Sequence, residues 1–225
     1  MADKKTTKKK SVKKSSKKAP KKTTQKTRKT NKSKKFTTRE TASDACLSLW
    51  KKSGKDLEKL MQTGIKPDLT QLNGYRFRGL NVGLGPKLIG IRKFIKCFYL
   101  KDYGYGQLLT GHNFIVKQNK PEEVYITLRN KKGQEKVQGY YLVEDAEKNS
   151  IWNQYPNAAL LHYGRGNNKW WDPAGKLRDF LVQPYADNPD LLLGKAYFQL
   201  GPLKIKGGYF VLERLSEDKT LSEIY

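Results

Sequence analysis

Residues 191–214 read LLLGKAYFQLGPLKIKGGYFVLER. In an extended chain successive side chains point to opposite faces. Leu192, Gly194, Ala196, Phe198 and Leu200 therefore share one face of a first strand, Leu191–Leu200. Leu203–Lys206 and Tyr209–Glu213 read as two further strands after Gly and Pro punctuation. Gly194 and Ala196 are small where the core of a sandwich usually carries bulk, and Gly79 repeats the pattern in line with Tyr75 and Phe77. Small inward residues mark sharp bending at a barrel corner or room for a guest, unless a neighbouring ring fills the space.

The same grammar extends backwards along the chain. Tyr75–Val82 (YRFRGLNV) alternates aromatic and arginine, Phe114–Gln118 reads as a strand, and Ala158–Tyr163 and Leu177–Gln183 continue the series. Val124–Arg129 and Val137–Val143 form a predicted hairpin around Asn130-Lys131-Lys132-Gly133. Leu88–Leu100 (LIGIRKFIKCFYL) fits either a helix opened by Pro86 or a strand ending in KCFYL. Eight to ten short strands at such spacing predict an antiparallel sandwich or a closed barrel. The connections are too short for βαβ crossovers. Ahead of them, residues 41–63 carry apolar side chains at helical spacing, with Thr41 or Ser43 as cap, Gly64 as stop and Gly54 as a dividing point. The fold class is thus mainly β (α+β). Three regions are expected: a tail over 1–40, a helical segment over 41–66 packed on the core, and an antiparallel β domain over 67–225.

The tail is a different polymer. Residues 1–35 hold 17 Lys+Arg against one acid, Asp3, and all 25 aromatic residues lie beyond them. Such a segment buries too little apolar surface to offset its ordering entropy, which predicts disorder. Its cations are Lys4, Lys5, Lys8, Lys9, Lys10, Lys13, Lys14, Lys17, Lys18, Lys21, Lys22, Arg28, Lys34 and Lys35, with further single lysines between them. Laid along a phosphate backbone, they release condensed counterions without reading sequence, so nucleic acid is the expected partner. A localisation signal alone and an anionic membrane surface are the other readings; the tail has no Trp, Phe or Leu to insert. Ten Ser/Thr lie among the lysines, where phosphorylation would cancel charge.

Motifs for chemistry are sparse. The chain has two histidines, His112 and His162, which disfavours a histidine-built zinc site. Gly106–Gly111 has the spacing of a phosphate loop but lacks its Lys and Ser/Thr. Cys97 with His112 and Asn113 would suit a nucleophile pair, although Cys97 lies in an apolar run where cysteine is usually a small buried hydrophobe. Arg178 stands near Asp172 and Asp179, suggesting structural ion pairs. Arg76, Arg78, Lys87, Arg92, Lys93, Lys96 and Lys101, interleaved with aromatics, resemble a single-stranded nucleic acid groove. Alternation in YRFR argues instead that the rings face inward and the cations are solvated. No catalytic residue, metal ligand or cofactor is assigned. No run approaches the ~20 apolar residues of a spanning helix. Two cysteines, Cys46 and Cys97, suit a reducing compartment, and an intracellular site is expected, at a bacterial nucleoid or a eukaryotic nucleus.

The run from NAALLHYGRGNNKWWDP through YFVLER resembles uncharacterised bacterial proteins of lipocalin-like build, over roughly residues 74–214. FRGLN, GIRKFIKCFY, LRDFLVQ and DLLLGKAY are its other pieces. The resemblance implies a barrel with an apolar interior and assigns no activity. The tail resembles lysine-rich linker-histone tails. Together these predict a non-enzymatic protein whose tail binds nucleic acid non-specifically and whose barrel takes an apolar small molecule. The expected cavity residues are Phe77, Tyr140, Tyr163, Ala196, Phe198 and Phe210. The alternative is a nucleic-acid-packaging protein, nucleoid- or chromatin-associated, or coat-like with a basic internal arm.

Overall fold

The computed structural model describes residues 41–83 and 90–224. The readings made for residues 1–40, and for Pro86 and Lys87, fall outside them. The chain divides into two units, 1–35 and 36–225, and the second holds everything described below.

Eight strands follow one another: β1 (Tyr75–Asn81), β2 (Lys93–Asp102), β3 (Gln107–Phe114), β4 (Val137–Asp145), β5 (Ala159–His162), β6 (Leu177–Val182), β7 (Leu191–Leu200) and β8 (Leu203–Glu217). Each pairs with the next, and β8 returns to pair antiparallel with β1. The sheet is a closed barrel, not a sandwich, so among the described residues no strand stands at an edge of the ring.

The predicted strands need three corrections. Leu203–Lys206 and Tyr209–Glu213 are one strand, continuous through Gly207-Gly208. The segment with phosphate-loop spacing is β3 itself, and Phe114–Gln118 is its last residue and the following loop. Val137–Val143 pairs with β3 and β5, not with Val124–Arg129. Residues 115–136 instead make a looser excursion held by isolated bridges, Val116 to Thr127 and Arg129 to Glu135. The NKKG turn does form, Asn130 N–H donating to the Gln134 carbonyl at 2.8 Å.

The barrel is packed on both faces, and this explains LIGIRKFIKCFYL. Phe94, Phe98, Leu161, Leu181, Leu192 and Leu212 belong to the interior cluster. Their strand neighbours Ile95, Cys97, Leu160, Phe180, Leu193 and Val211 are equally buried in a second cluster outside the wall. Strands covered on both sides lose the apolar/polar alternation that a half-solvated sheet shows.

The cover has two parts. Two helices, α1 (Asp44–Trp50) and α2 (Gly54–Thr63), contribute Cys46, Leu49, Leu57 and Met61 to the outer cluster. The β4–β5 connection adds Trp152 and Tyr155, both stacked about Phe180. Ser43 caps α1 and Ser53 caps α2, each accepting a backbone N–H at 3.2 Å. The helices divide at Lys51–Ser53, so Gly54 opens α2 rather than breaking a longer helix. Gly64 ends α2 at φ −63°, without a left-handed turn. Its reason is space: a Cβ there would lie 2.8 Å from the Leu60 carbonyl and 3.0 Å from that of Gln183. Glu58 then ties α2 to the barrel, accepting from Tyr155 (2.7 Å), Tyr209 (2.5 Å) and the Lys195 ammonium.

Candidate functional site

Half of the barrel interior is solid. Phe77 meets Phe98 edge-on at 5.5 Å, and Phe98 meets Tyr141 at 5.8 Å. The Tyr141 hydroxyl donates to the Cys97 carbonyl at 2.9 Å, across the place where a side chain at position 111 would stand. A Cβ on Gly111 would fall 2.7 Å from that ring and 1.9 Å from the carbonyl, so a tyrosine's packing, not a phosphate, requires the glycine.

The other half, toward the end where β1 finishes and β2 begins, holds a cavity of about 310 Å³. Its apolar wall is Phe94, Leu177, Ala196, Phe198 and Phe210. Gly79 lies opposite Phe94 in the ladder and Gly194 opposite Phe210. Cβ atoms at these glycines would sit 2.2 Å and 2.0 Å from the facing rings. The two glycines thus let two rings lie flat against the wall, 5.8 Å apart, and the rings fill the space at Gly79 and Gly194. The room that remains lies beyond them, beside Ala196.

The cavity floor is polar. Lys96 projects inward from β2 between Phe94 and Phe98 and is only 2% exposed. Its ammonium donates to Asn113 Oδ1 at 3.0 Å, pairs with Asp179 Oδ2 at 3.1 Å, and bonds the Tyr163 hydroxyl. Tyr163 in turn donates to Asp179 Oδ2 at 2.9 Å, and Asn113 Nδ2 donates to the Gly139 carbonyl at 3.3 Å. Three N–H donors thus meet three acceptors, which is what a lysine so deep requires. Four aromatic rings surround the ammonium at 4.9–5.5 Å: Phe94, Tyr141, Tyr163 and Phe210. Burial holds Lys96 below the usual lysine range, opposed by the Asp179 carboxylate. Burial lifts the Tyr163 hydroxyl well above the ordinary tyrosine value, with Asp179 adding to it, so it stays a proton donor.

Of the six residues expected in a cavity, Tyr163, Ala196, Phe198 and Phe210 line this one. Two are corrected. Phe77 lies in the solid half. Tyr140 is on the outer side, its ring 5.5 Å from His112, because a β-bulge at positions 111–113 shifts the β3–β4 register and Gly139 adopts φ +61°. The reading missed Lys96, Asn113 and Asp179. A signal existed: in KFIKCF and LRDFLV, Lys96 falls on the same face as Phe94 and Phe98, and Asp179 on the same face as Leu181.

The supposed basic groove is dispersed. Arg76 binds Glu135 and Asp218 at 2.9 and 2.6 Å and stacks on Phe114. Arg78 pairs with Glu213 and donates to the Thr41 carbonyl. Lys93 is buried under the carbonyls of Lys120 (3.0 Å) and Glu123 (2.7 Å), and burial lowers it to about 8. The cations beside the rings are therefore neither a phosphate track nor a solvated face; most are internal ties. Arg178 does not pair with Asp179, which points to the opposite face; it donates instead to Gln199 Oε1 at 2.9 Å. Asp172 caps Ala174 N–H at 2.8 Å.

Cys97 and His112 do meet, Sγ to Nε2 at 3.3 Å, on the outer face of β2 and β3. Burial pushes the thiol up to about 12 and the imidazole down to about 3. Both are then neutral near pH 7, the reverse of an activated thiolate–imidazolium pair. Asn113, the orienting group, faces the other way, toward Lys96.

No family model, curated protein or solved structure matches the chain. The lipocalin-like resemblance stands on the quoted residues alone. Among the described residues no helix is long and apolar enough to cross a membrane.

Proposed function

We propose that the barrel binds a small molecule with an apolar body and an uncharged hydrogen-bonding head. The observation that carries this is the cavity: about 310 Å³, walled by apolar side chains and floored by a fixed polar cluster. Ligand sites commonly combine an apolar lining with few, well-placed polar groups, and this volume is at the small end of their range. The floor selects the head. Lys96 is already neutralised by Asp179 at 3.1 Å, so a carboxylate or phosphate would find no spare cation and a carboxylate beside it. An alcohol, amide or carbonyl suffers no such repulsion.

Native mass spectrometry of the full-length protein, purified gently, tests the proposal. A few hundred daltons lost on denaturation are expected, and absent from an Ala196→Phe variant whose ring occupies the cavity. A bare mass, with no uptake of apolar alcohols or amides, sinks it.

We further infer that the lysine-rich tail holds the protein to nucleic acid without sequence preference. Its support is the charge of residues 1–35, whose compact ammonium groups position without reading bases. Log affinity should fall with log salt by about 0.9 per phosphate neutralised. Deleting residues 1–35 should abolish that binding. The packaging alternative requires the domain to add affinity of its own, and Arg76, Arg78, Lys93 and Lys96 are committed to internal partners. Salt-sensitive DNA binding by the truncated protein would favour packaging.

A further inference from the structure

The β7–β8 hairpin projects past the rim of the barrel. β6 begins opposite Phe198, and β1 ends opposite Phe210. Between these points β7 and β8 pair only with each other, out to Leu200 against Leu203, among the described residues. The alternation places Phe198, Leu200, Leu203 and Ile205 on the inward face, continuous with the cavity wall. Beyond the rim that face is uncovered among the described residues: Leu203 is 62% exposed, and Leu200 and Ile205 are more than 40% exposed.

The neighbouring β5–β6 connection ends at the same rim, since Leu177 pairs with Phe198. It carries Trp170 and Trp171, 91% and 62% exposed. Lys169 and Lys176 stand exposed on this connection, while Lys204 and Lys206 lie on the opposite face of the hairpin, where Lys204 bonds the Ile151 carbonyl and sits over Trp152. The nearby Asp172 is engaged as a turn cap.

We propose that this open end of the barrel docks on an anionic lipid bilayer surface, with Trp170, Trp171, Leu200, Leu203 and Ile205 entering the headgroup region. Tryptophan and aliphatic tips flanked by lysine match the boundary between acyl chains and anionic headgroups. Two other occupants fit less well. Protein interfaces are depleted in lysine at their core. Nucleic acid offers nothing to Leu200, Leu203 and Ile205, and the two indoles stand at 89° to each other, not as a stacking platform. Docked this way, the cavity mouth faces the bilayer, from which an apolar molecule could enter without crossing water. The docking does not depend on the cavity being filled.

The test uses the full-length protein with phosphatidylcholine vesicles, with and without phosphatidylserine, carrying brominated acyl chains. Quenching and a blue shift of tryptophan emission are expected with the anionic vesicles. Leu203→Asp with Ile205→Asp should abolish both without moving the urea midpoint, because both side chains are exposed. Lys169→Ala with Lys176→Ala should weaken anionic-vesicle binding roughly 25-fold, about five-fold per lysine. The tail alone can adsorb to anionic vesicles, so co-sedimentation without quenching overturns the proposal. Quenching unchanged in the Leu203→Asp, Ile205→Asp variant also overturns it. Single-stranded DNA that shifts the emission where vesicles do not would reassign the face to nucleic acid.

Discussion

Replacing Asp179 with Asn keeps the shape of the cavity floor and removes its only carboxylate. Lys96 then stays buried with Asn113 Oδ1 and the Tyr163 hydroxyl as partners but no counter-charge. Breaking a buried pair from one side typically costs about 3–5 kcal/mol. An independent ceiling comes from the lysine itself. Shedding its proton at pH 7, against an unfolded value near 10.4, costs about 4.6 kcal/mol at ~1.36 kcal/mol per pH unit. The two estimates agree, so a loss of about 3–4.5 kcal/mol at pH 7 is expected, a large share of a typical domain's stability.

The sign of the pH dependence follows. Burial lowers Lys96 in the folded state, so the unfolded chain binds its proton more tightly. Stability attributable to this group therefore rises with pH between the folded and unfolded values. Without Asp179 that window opens further down, and the variant should regain up to about 2.7 kcal/mol relative to wild type between pH 7 and 9. Urea unfolding at the two pH values measures both quantities. A loss under about 1 kcal/mol with no alkaline recovery would refute a desolvated, charge-paired Lys96. The double variant Lys96→Met, Asp179→Leu should come close to wild-type stability or exceed it, since apolar replacements of buried pairs often do.

Three further outcomes are expected. Gly194→Ala places a Cβ 2.0 Å from the Phe210 ring and should cost about 1–3 kcal/mol by urea midpoint, with loss of any bound ligand. Glu58 is held at about 2 by hydrogen bonds from Lys195, Tyr209 and Tyr155, which outweigh its burial. A carboxylate lowered in the folded state stabilises above its unfolded value and stops doing so as pH falls toward 2. The protection of α2 amides against hydrogen exchange, relative to their intrinsic rates, should therefore fall between about pH 4.3 and 2 in wild type. Glu58→Gln should cost about 1–2 kcal/mol at pH 7 and flatten that dependence. Finally, Cys97, raised to about 12 from 9.0 by burial, carries roughly a thousand-fold less thiolate at pH 8 than a free thiol. It should resist a disulfide reagent until the barrel unfolds.

Sequence alone determined the strand-rich character, the placement of most strands, the helical lead-in and the sharp charge boundary near residue 35. Those features depend on local pattern: period-2 alternation, glycine and proline punctuation, and a lysine run too polar to form a core. The inner face of LLLGKAYFQL was also legible, because the small Gly194 and Ala196 mark it. What the tertiary structure decided is which surfaces meet. KFIKCFYL was ambiguous because α1, α2 and the β4–β5 connection bury the outer wall and erase its alternation. The pairing of β8 with β1 joins positions about 130–140 residues apart, and no local signal distinguishes a barrel from a sandwich. Lys96 and Asp179 are 83 positions apart, and Asp179 stood beside a more obvious partner in Arg178. Neighbours in a strand face opposite ways, while the barrel brings distant inward positions to 3.1 Å. The cavity floor is a property of closure, set by register around the whole ring.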